Sequence, residues 1–205
     1  MIASRTSLAL TCAIAAGACS GSSTAPSTTT ATATTPLRAD VSDPAGDVQA
    51  DARIAVPPDL VRTTISVASQ TLTIVVSLAP ATLNRQTTRV TALFDTDLNP
   101  ATGIRQTDGI GADYGLDFDA AGGQATIVKA DPAGCAAGRS CFTNVGTAAI
   151  TFTGDAMQAA LPLSSIGSAD GRMTFEVTSY AIVAPLTPVA FDFLPDITLA
   201  PARVQ

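Results

Sequence analysis

The strictest constraint in this chain is a side-chain period of two. Leu72, Ile74, Val76 and Leu78 alternate with Thr71, Thr73, Val75 and Ser77. That spacing puts four aliphatic groups on one face of an extended segment and would scatter them around a helix. Thr64-Ile65-Ser66-Val67 alternates in the same way just before, and Ala68-Ser-Gln-Thr71 is short enough to join the two runs as a hairpin. Further alternating runs, each expected to be a strand, occupy 89–94, 114–118, 125–129, 149–153, 157–163 and 173–183. Ala121-Gly-Gly-Gln124 and Thr153-Gly-Asp-Ala156 suit tight reversals between neighbours, because glycine tolerates the positive φ that such turns demand. Only Leu163 to Ile166 reads as a helical turn. Eight or nine strands at this spacing predict an all-β fold, an antiparallel β-sandwich.

Composition agrees and sets bounds. The chain has 205 residues, 46% of them hydrophobic, enough for one good core, and the sandwich is expected to occupy residues 38–205 as a single domain. Alanine, threonine, valine and glycine are abundant, whereas lysine occurs once and tryptophan never. A helical bundle would want leucine, glutamate and lysine instead. A net charge of −6 provides no electrostatic footprint for nucleic acid or an anionic membrane surface.

The first residues read as an address. Arg5 supplies a charged start, Leu8 to Ala16 a short apolar stretch, and Ala16-Gly17-Ala18-Cys19 a small-residue cleavage site ending in cysteine. Ala-Gly-Ala-Cys resembles a bacterial lipobox. That resemblance implies a signal peptide over 1–18 and a lipid on Cys19 that anchors the protein to a membrane of the cell envelope. Ser20 after the cysteine implies the outer membrane or cell surface, and ordinary secretory cleavage nearby is the alternative. From Ser20 to Thr35, eleven of sixteen residues are Ser or Thr, so residues 19–37 are expected to form a disordered tether. Of the remaining cysteines, Cys135 and Cys141 are expected to pair as a loop staple in an oxidising compartment. Their spacing is wider than the two residues of a redox dithiol.

The chemistry of the chain is concentrated in one segment. Phe94-Asp-Thr-Asp-Leu-Asn-Pro-Ala-Thr-Gly103 and the residues on to Asp119 hold six of the sixteen aspartates, in a protein with one glutamate and no histidine. Aspartates two apart can converge their oxygens on one hard cation, and calcium, which takes six to eight oxygens, is the ion expected. The candidate ligands are Asp95, Asp97, Asn99 and Asp113, then Asp108, with Asp43 and Asp47 contributing to this site, to a second one, or only to a turn. The competing explanation is that Asp and Asn simply cap turns through their own backbone. The loop is not an EF-hand, since Pro100 stands where glycine is needed and Gln106 where a bidentate glutamate is needed. Zinc is disfavoured without histidine. Asp117 and Asp119 alternate with Leu116 and Phe118 and read as a solvated strand face.

An ordered series of short motifs carries a family likeness. Asp43-Pro-Ala-Gly-Asp47, Pro58-Asp59-Leu60, the Asp95 segment, Gly111-Ala-Asp-Tyr114, Leu161-Pro-Leu163 and Leu194-Pro-Asp196 appear in this order. The region from Asp40 to Ile197 resembles the DOMON-like β-sandwiches related to family 9 carbohydrate-binding modules. The resemblance implies a jelly-roll-like sandwich with calcium at its strand ends, often found beside secreted carbohydrate-active proteins. Sugar-binding members stack aromatic rings, especially Trp, on pyranose faces. This chain offers only Tyr114 and Tyr180 among its larger polar aromatics, Tyr114 being the candidate ligand contact and core packing the alternative. Phe94, Phe118, Phe152 and Phe175 are expected in the core.

Catalysis finds little support, because no histidine is available for a nucleophile and its base and no Gly-rich loop opens a helix. The expected function is a non-catalytic binding module for a glycan or another envelope ligand. A structural or adhesion protein that contacts other proteins is the alternative, and a secreted hydrolase working through two aspartates the third.

Overall fold

Alternating residues become strands here because pairing buries one face of each run. In the computed structural model, which describes residues 36–49, 51–107, 109–184, 186–196 and 199–205, the strands are β1 (Leu37–Ser42), β2 (Leu60–Ala68), β3 (Thr71–Leu78), β4 (Thr88–Asp95), β5 (Ile104–Arg105), β6 (Gly111–Ala112), β7 (Tyr114–Asp119), β8 (Gln124–Ala130), β9 (Phe142–Thr153), β10 (Ala156–Pro162), β11 (Met173–Val183), β12 (Thr187–Leu194) and β13 (Ala202–Val204). A helical turn α1 (Pro132–Ala136) and a 3-10 turn over Leu163–Ile166 complete the described elements. The leader, Cys19, nearly all of the expected tether and Asp108 lie outside the described residues. Among the described residues no helix is long and apolar enough to cross a membrane.

Eleven strands form one antiparallel sheet in the order β1-β2-β3-β10-β9-β8-β7-β4-β11-β12, with β13 pairing β11 as well. The predicted sandwich is thus present as two layers of a single sheet. β9 belongs to both. Its residues up to Ala149 pair with β8, and those from Ile150 pair with β10. The sheet nearly closes on itself, because the Arg38 amide donates to the Gln205 carbonyl at 3.1 Å, joining β1 to the end of the chain beyond β13. The strand number exceeds the eight or nine expected. β12 and the first half of β9 do not alternate cleanly, while β5 and β6 are only two residues long.

Between the layers lie Leu60, Ile65, Leu72, Ile74, Phe94, Leu116, Phe118, Met157, Leu163, Ile166 and Phe175, all fully buried. Each such side chain contributes about 1.5–3 kcal/mol by leaving water. Phe94, Phe118 and Phe175 are core as expected, whereas Phe152 packs at the margin with the Arg85 guanidinium 3.9 Å above its ring. The β2–β3 hairpin turns through Ser69 and Gln70, both at positive φ, the conformation a two-residue reversal needs to match strand twist.

Candidate metal centre

The acidic loop is built outward from the β4–β7 ladder. Phe94 pairs with Tyr114, so Asp95 and Asp113 leave that ladder side by side, and the Asp113 amide donates to the Phe94 carbonyl at 2.8 Å. The β5–β6 pair folds the intervening residues back. It requires glycine: a Cβ on Gly103, which sits at φ +65°, would meet the Ala112 carbonyl, and one on Gly111 the Thr102 carbonyl. The result brings one oxygen each of Asp95, Asp97 and Asp113 within 4.8 Å of one another. Asp95 is 2% exposed. Burial first, and then the nearby Asp97 and Asp113 carboxylates, push its carboxyl up, against the Asn99 N–H that favours its charged form.

The same oxygens also hold the turn. The Asn99 N–H donates to Asp95 Oδ1 at 3.0 Å and to Asp97 Oδ1 at 2.9 Å, while Thr102 Oγ1 lies 3.0 Å from Asp97 Oδ2. Thr96 donates its amide to Asp113 Oδ2 at 3.0 Å. The Asn99 side-chain oxygen accepts from the Ala101 N–H at 3.2 Å, so it caps its own turn. Turn capping and convergence are therefore both present. The donor set consists of carboxylate oxygens with no nitrogen or sulfur, which fits a hard cation such as calcium and suits zinc poorly.

Asp43 and Asp47 do not join this loop. They gather with Asp192 of β12, again with one oxygen of each within 4.8 Å of the others. The Asp43 carboxyl is raised to about 7, first by burial and then by the charges of Asp192, Asp47, Asp196 and Asp59. Asp192 is raised to about 6, mainly by burial, although N–H groups of Leu60 and Phe193 donate to it. Asp59, Asp192 and Asp196 are residues that sequence reasoning did not single out as ligands. Asp59 and Asp196 did stand inside the quoted Pro-Asp-Leu and Leu-Pro-Asp motifs, and that was the available signal.

Tyr114 is half-buried, edged by Gly167, and lines a shallow depression of about 340 Å³ with Thr96, Asp97, Asp113, Lys129 and Pro132. Pro132 opens α1, whose N-cap Asp131 accepts from the Gly134 N–H at 2.9 Å and which the Cys135–Cys141 disulfide ties to the residue before β9. Asp117 and Asp119 face outward on β7 but are not free: Thr91 Oγ1 donates to Asp117 at 2.8 Å, and Arg89 pairs with Asp119 at 3.1 Å.

The outward face of β11 and β12 carries an aromatic row that the alternation did not reveal. Tyr180 and Phe191 have ring centroids 5.7 Å apart, and Phe191 and Phe193 6.3 Å apart. Beside Phe193 a groove of about 120 Å³ is lined by Leu93, Gln106, Thr107, Glu176 and Thr178. Gln106 and Thr107 come from the acidic loop, so that loop forms one wall of the groove. No protein-family model matches this chain, and no curated protein matches it.

Proposed function

We propose that this chain is an exported, lipid-anchored, non-catalytic binding module of the cell envelope, in which calcium at Asp95, Asp97 and Asp113 sets the loop that walls a glycan groove. The observation that carries the reading is the Tyr180–Phe191–Phe193 row beside the Gln106–Glu176 groove. Half-buried rings in file on a sheet face give the apolar faces of sugar rings a surface to stack on. Amide, carboxylate and hydroxyl groups next to them can bond sugar hydroxyls. The resemblance to DOMON-like modules, the lipobox-like start and the oxidised cysteine pair support the same reading. Calcium would neutralise the clustered carboxylates and hold the loop; the protein's own residues do the recognising.

The test is affinity electrophoresis or pull-down of the purified protein on a panel of cell-wall and capsular polysaccharides, with Tyr180→Ala and Phe193→Ala alongside. Binding weakened roughly 5–10-fold per ring is the expected result, in line with about 1–1.5 kcal/mol for a ring contact. Retention on no polysaccharide, or retention unchanged by both substitutions, sinks the glycan reading and leaves protein contact as the use of this face.

A further inference from the structure

The second aspartate group sits where the sheet fails to close. At one end of the seam, the backbone of β1 bonds the chain end beyond β13. At the other end, β2 and β12 approach without a ladder between them, and the residues after β1 run across the gap. The Asp43 N–H donates to the Val61 carbonyl at 3.0 Å on the β2 side, and the Gln49 N–H to the Phe191 carbonyl at 2.8 Å on the β12 side. Asp43 is itself the first anchor, and Asp47 stands between the two.

β12 delivers the third carboxylate by a bulge. Ser179 pairs with Asp192 but Ala181 with Val189, so β12 has one residue more than its partner, and Ala190 takes φ +57°. The extra residue switches the faces of its successors on the strand: Phe191 and Phe193 point outward, and Asp192 points inward, 3% exposed. Without the bulge, the alternation would bury the phenylalanines and expose the aspartate. Asp59, 7% exposed and preceding β2, flanks these three without being one of the converging group. One of its oxygens accepts from the Gly46 N–H at 2.9 Å, which sets it against the Asp43–Asp47 turn; the other, Oδ1, is buried without any partner. Asp43 Oδ2 is likewise buried without a partner. Among the described residues, no arginine or lysine pairs with Asp43, Asp47, Asp59 or Asp192.

Buried carboxylate oxygens with neither a donor nor a cation are costly, and natural structures satisfy them. Turn capping accounts for the paired oxygens here and leaves Asp59 Oδ1 and Asp43 Oδ2 unexplained. We propose that the converging Asp43, Asp47 and Asp192, with the buried Asp59 at their flank, form a second site for a hard divalent cation of the calcium class, which closes the seam between β2 and β12. Three converging carboxylates, some of them able to bind through both oxygens, supply much of a calcium shell, with Asp59, carbonyl or water oxygens for the remainder. This site is independent of the Asp95 loop and of any glycan. Its role is to lock the strap over 43–49 onto both edges of the sheet.

Calorimetric titration of the chelator-treated full chain with calcium chloride tests this, together with amide exchange of the strap. Two binding events are expected in the wild type. Asp43→Asn/Asp47→Asn, which keeps side-chain volume and includes one exposed position, removes one event and abolishes calcium-dependent protection of the Gln49 amide. Asp97→Asn/Asp113→Asn removes the other event and leaves that protection intact. If the Asp95 loop binds no metal, the wild type shows a single event that Asp43→Asn/Asp47→Asn still eliminates. The proposal is overturned if that double variant, folded by circular dichroism, titrates like the wild type, or if calcium leaves exchange at Gln49 unchanged.

Discussion

Removing divalent cations should invert the usual response of this protein to pH. Asp43 has its carboxyl moved from an ordinary 3.8 to about 7, and Asp192 from 3.8 to about 6. Burial is the first cause in both, followed for Asp43 by Asp192, Asp47, Asp196 and Asp59, and for Asp192 by Asp47 and Asp59, opposed by the N–H groups of Leu60 and Phe193. A raised acid binds its proton more tightly folded than unfolded, so its stabilisation is complete below 3.8 and is lost as pH rises through the folded values of about 6 and 7. Taken singly, the two displacements correspond to about 4 and 3 kcal/mol. They share one mutual repulsion, and Asp43 is partly open to solvent screening, so about 2–3 kcal/mol in total is the reasonable magnitude. For a domain of this size that is about 5–10 °C in Tm. The exposed Asp40 and Asp51, lowered by Arg62 and Arg53 respectively, have the opposite sign but act only as pH falls through the acid range, outside the window of interest. Differential scanning calorimetry in chelator should therefore show a higher Tm at pH 5 than at pH 8, and excess calcium should flatten or reverse that difference. A chelated protein equally stable at both pH values, or more stable at pH 8, would refute the reasoning.

Two substitutions probe the rest of the fold. Gly103→Ala places a methyl group against the Ala112 carbonyl at a residue with φ +65°; a loss of more than about 2 kcal/mol is expected in chemical denaturation, with weaker calcium binding at the Asp95 loop and none lost at the seam. Thr63 is fully buried on β2, and its hydroxyl has no partner. Thr63→Val keeps the shape and discards an unsatisfied donor, so urea denaturation should show a gain of about 1 kcal/mol, and a loss would mean that the hydroxyl is satisfied.

The strands of this fold were legible where one face is buried and the other wet. β3 and β11 follow the alternation of their residues, and the 3-10 turn falls at Leu163–Ile166 as read. β12 escaped because its bulge at Ala190 breaks the period and because an inward Asp192 and outward Phe191 and Phe193 reverse the usual meaning of the letters. The first half of β9 escaped because it is exposed on nearly every residue. Convergence of Asp95, Asp97 and Asp113 could be anticipated from local spacing, although the pairing of Phe94 with Tyr114 that sets Asp113 beside Asp95 is a tertiary fact. Nothing local in the chain links Asp43 with Asp192. Those two are joined only by the path of the sheet, which returns its last strands to its first.

That return makes the fold a matter of timing. The partner that β1 meets at the seam, the residues around Gln205, is synthesised after everything else in the domain. Every other ladder can form while β1 keeps an unpaired flank, and loop-closure entropy makes this longest-range contact slow to assemble. A chain cut before Ala202 would lose the buried Val204 from its core and leave open flanks on β1 and on the Met173–Phe175 stretch of β11, ready to pair with another molecule. The last few residues thus cover two sheet edges at the same time as they set Val204 into the buried interior.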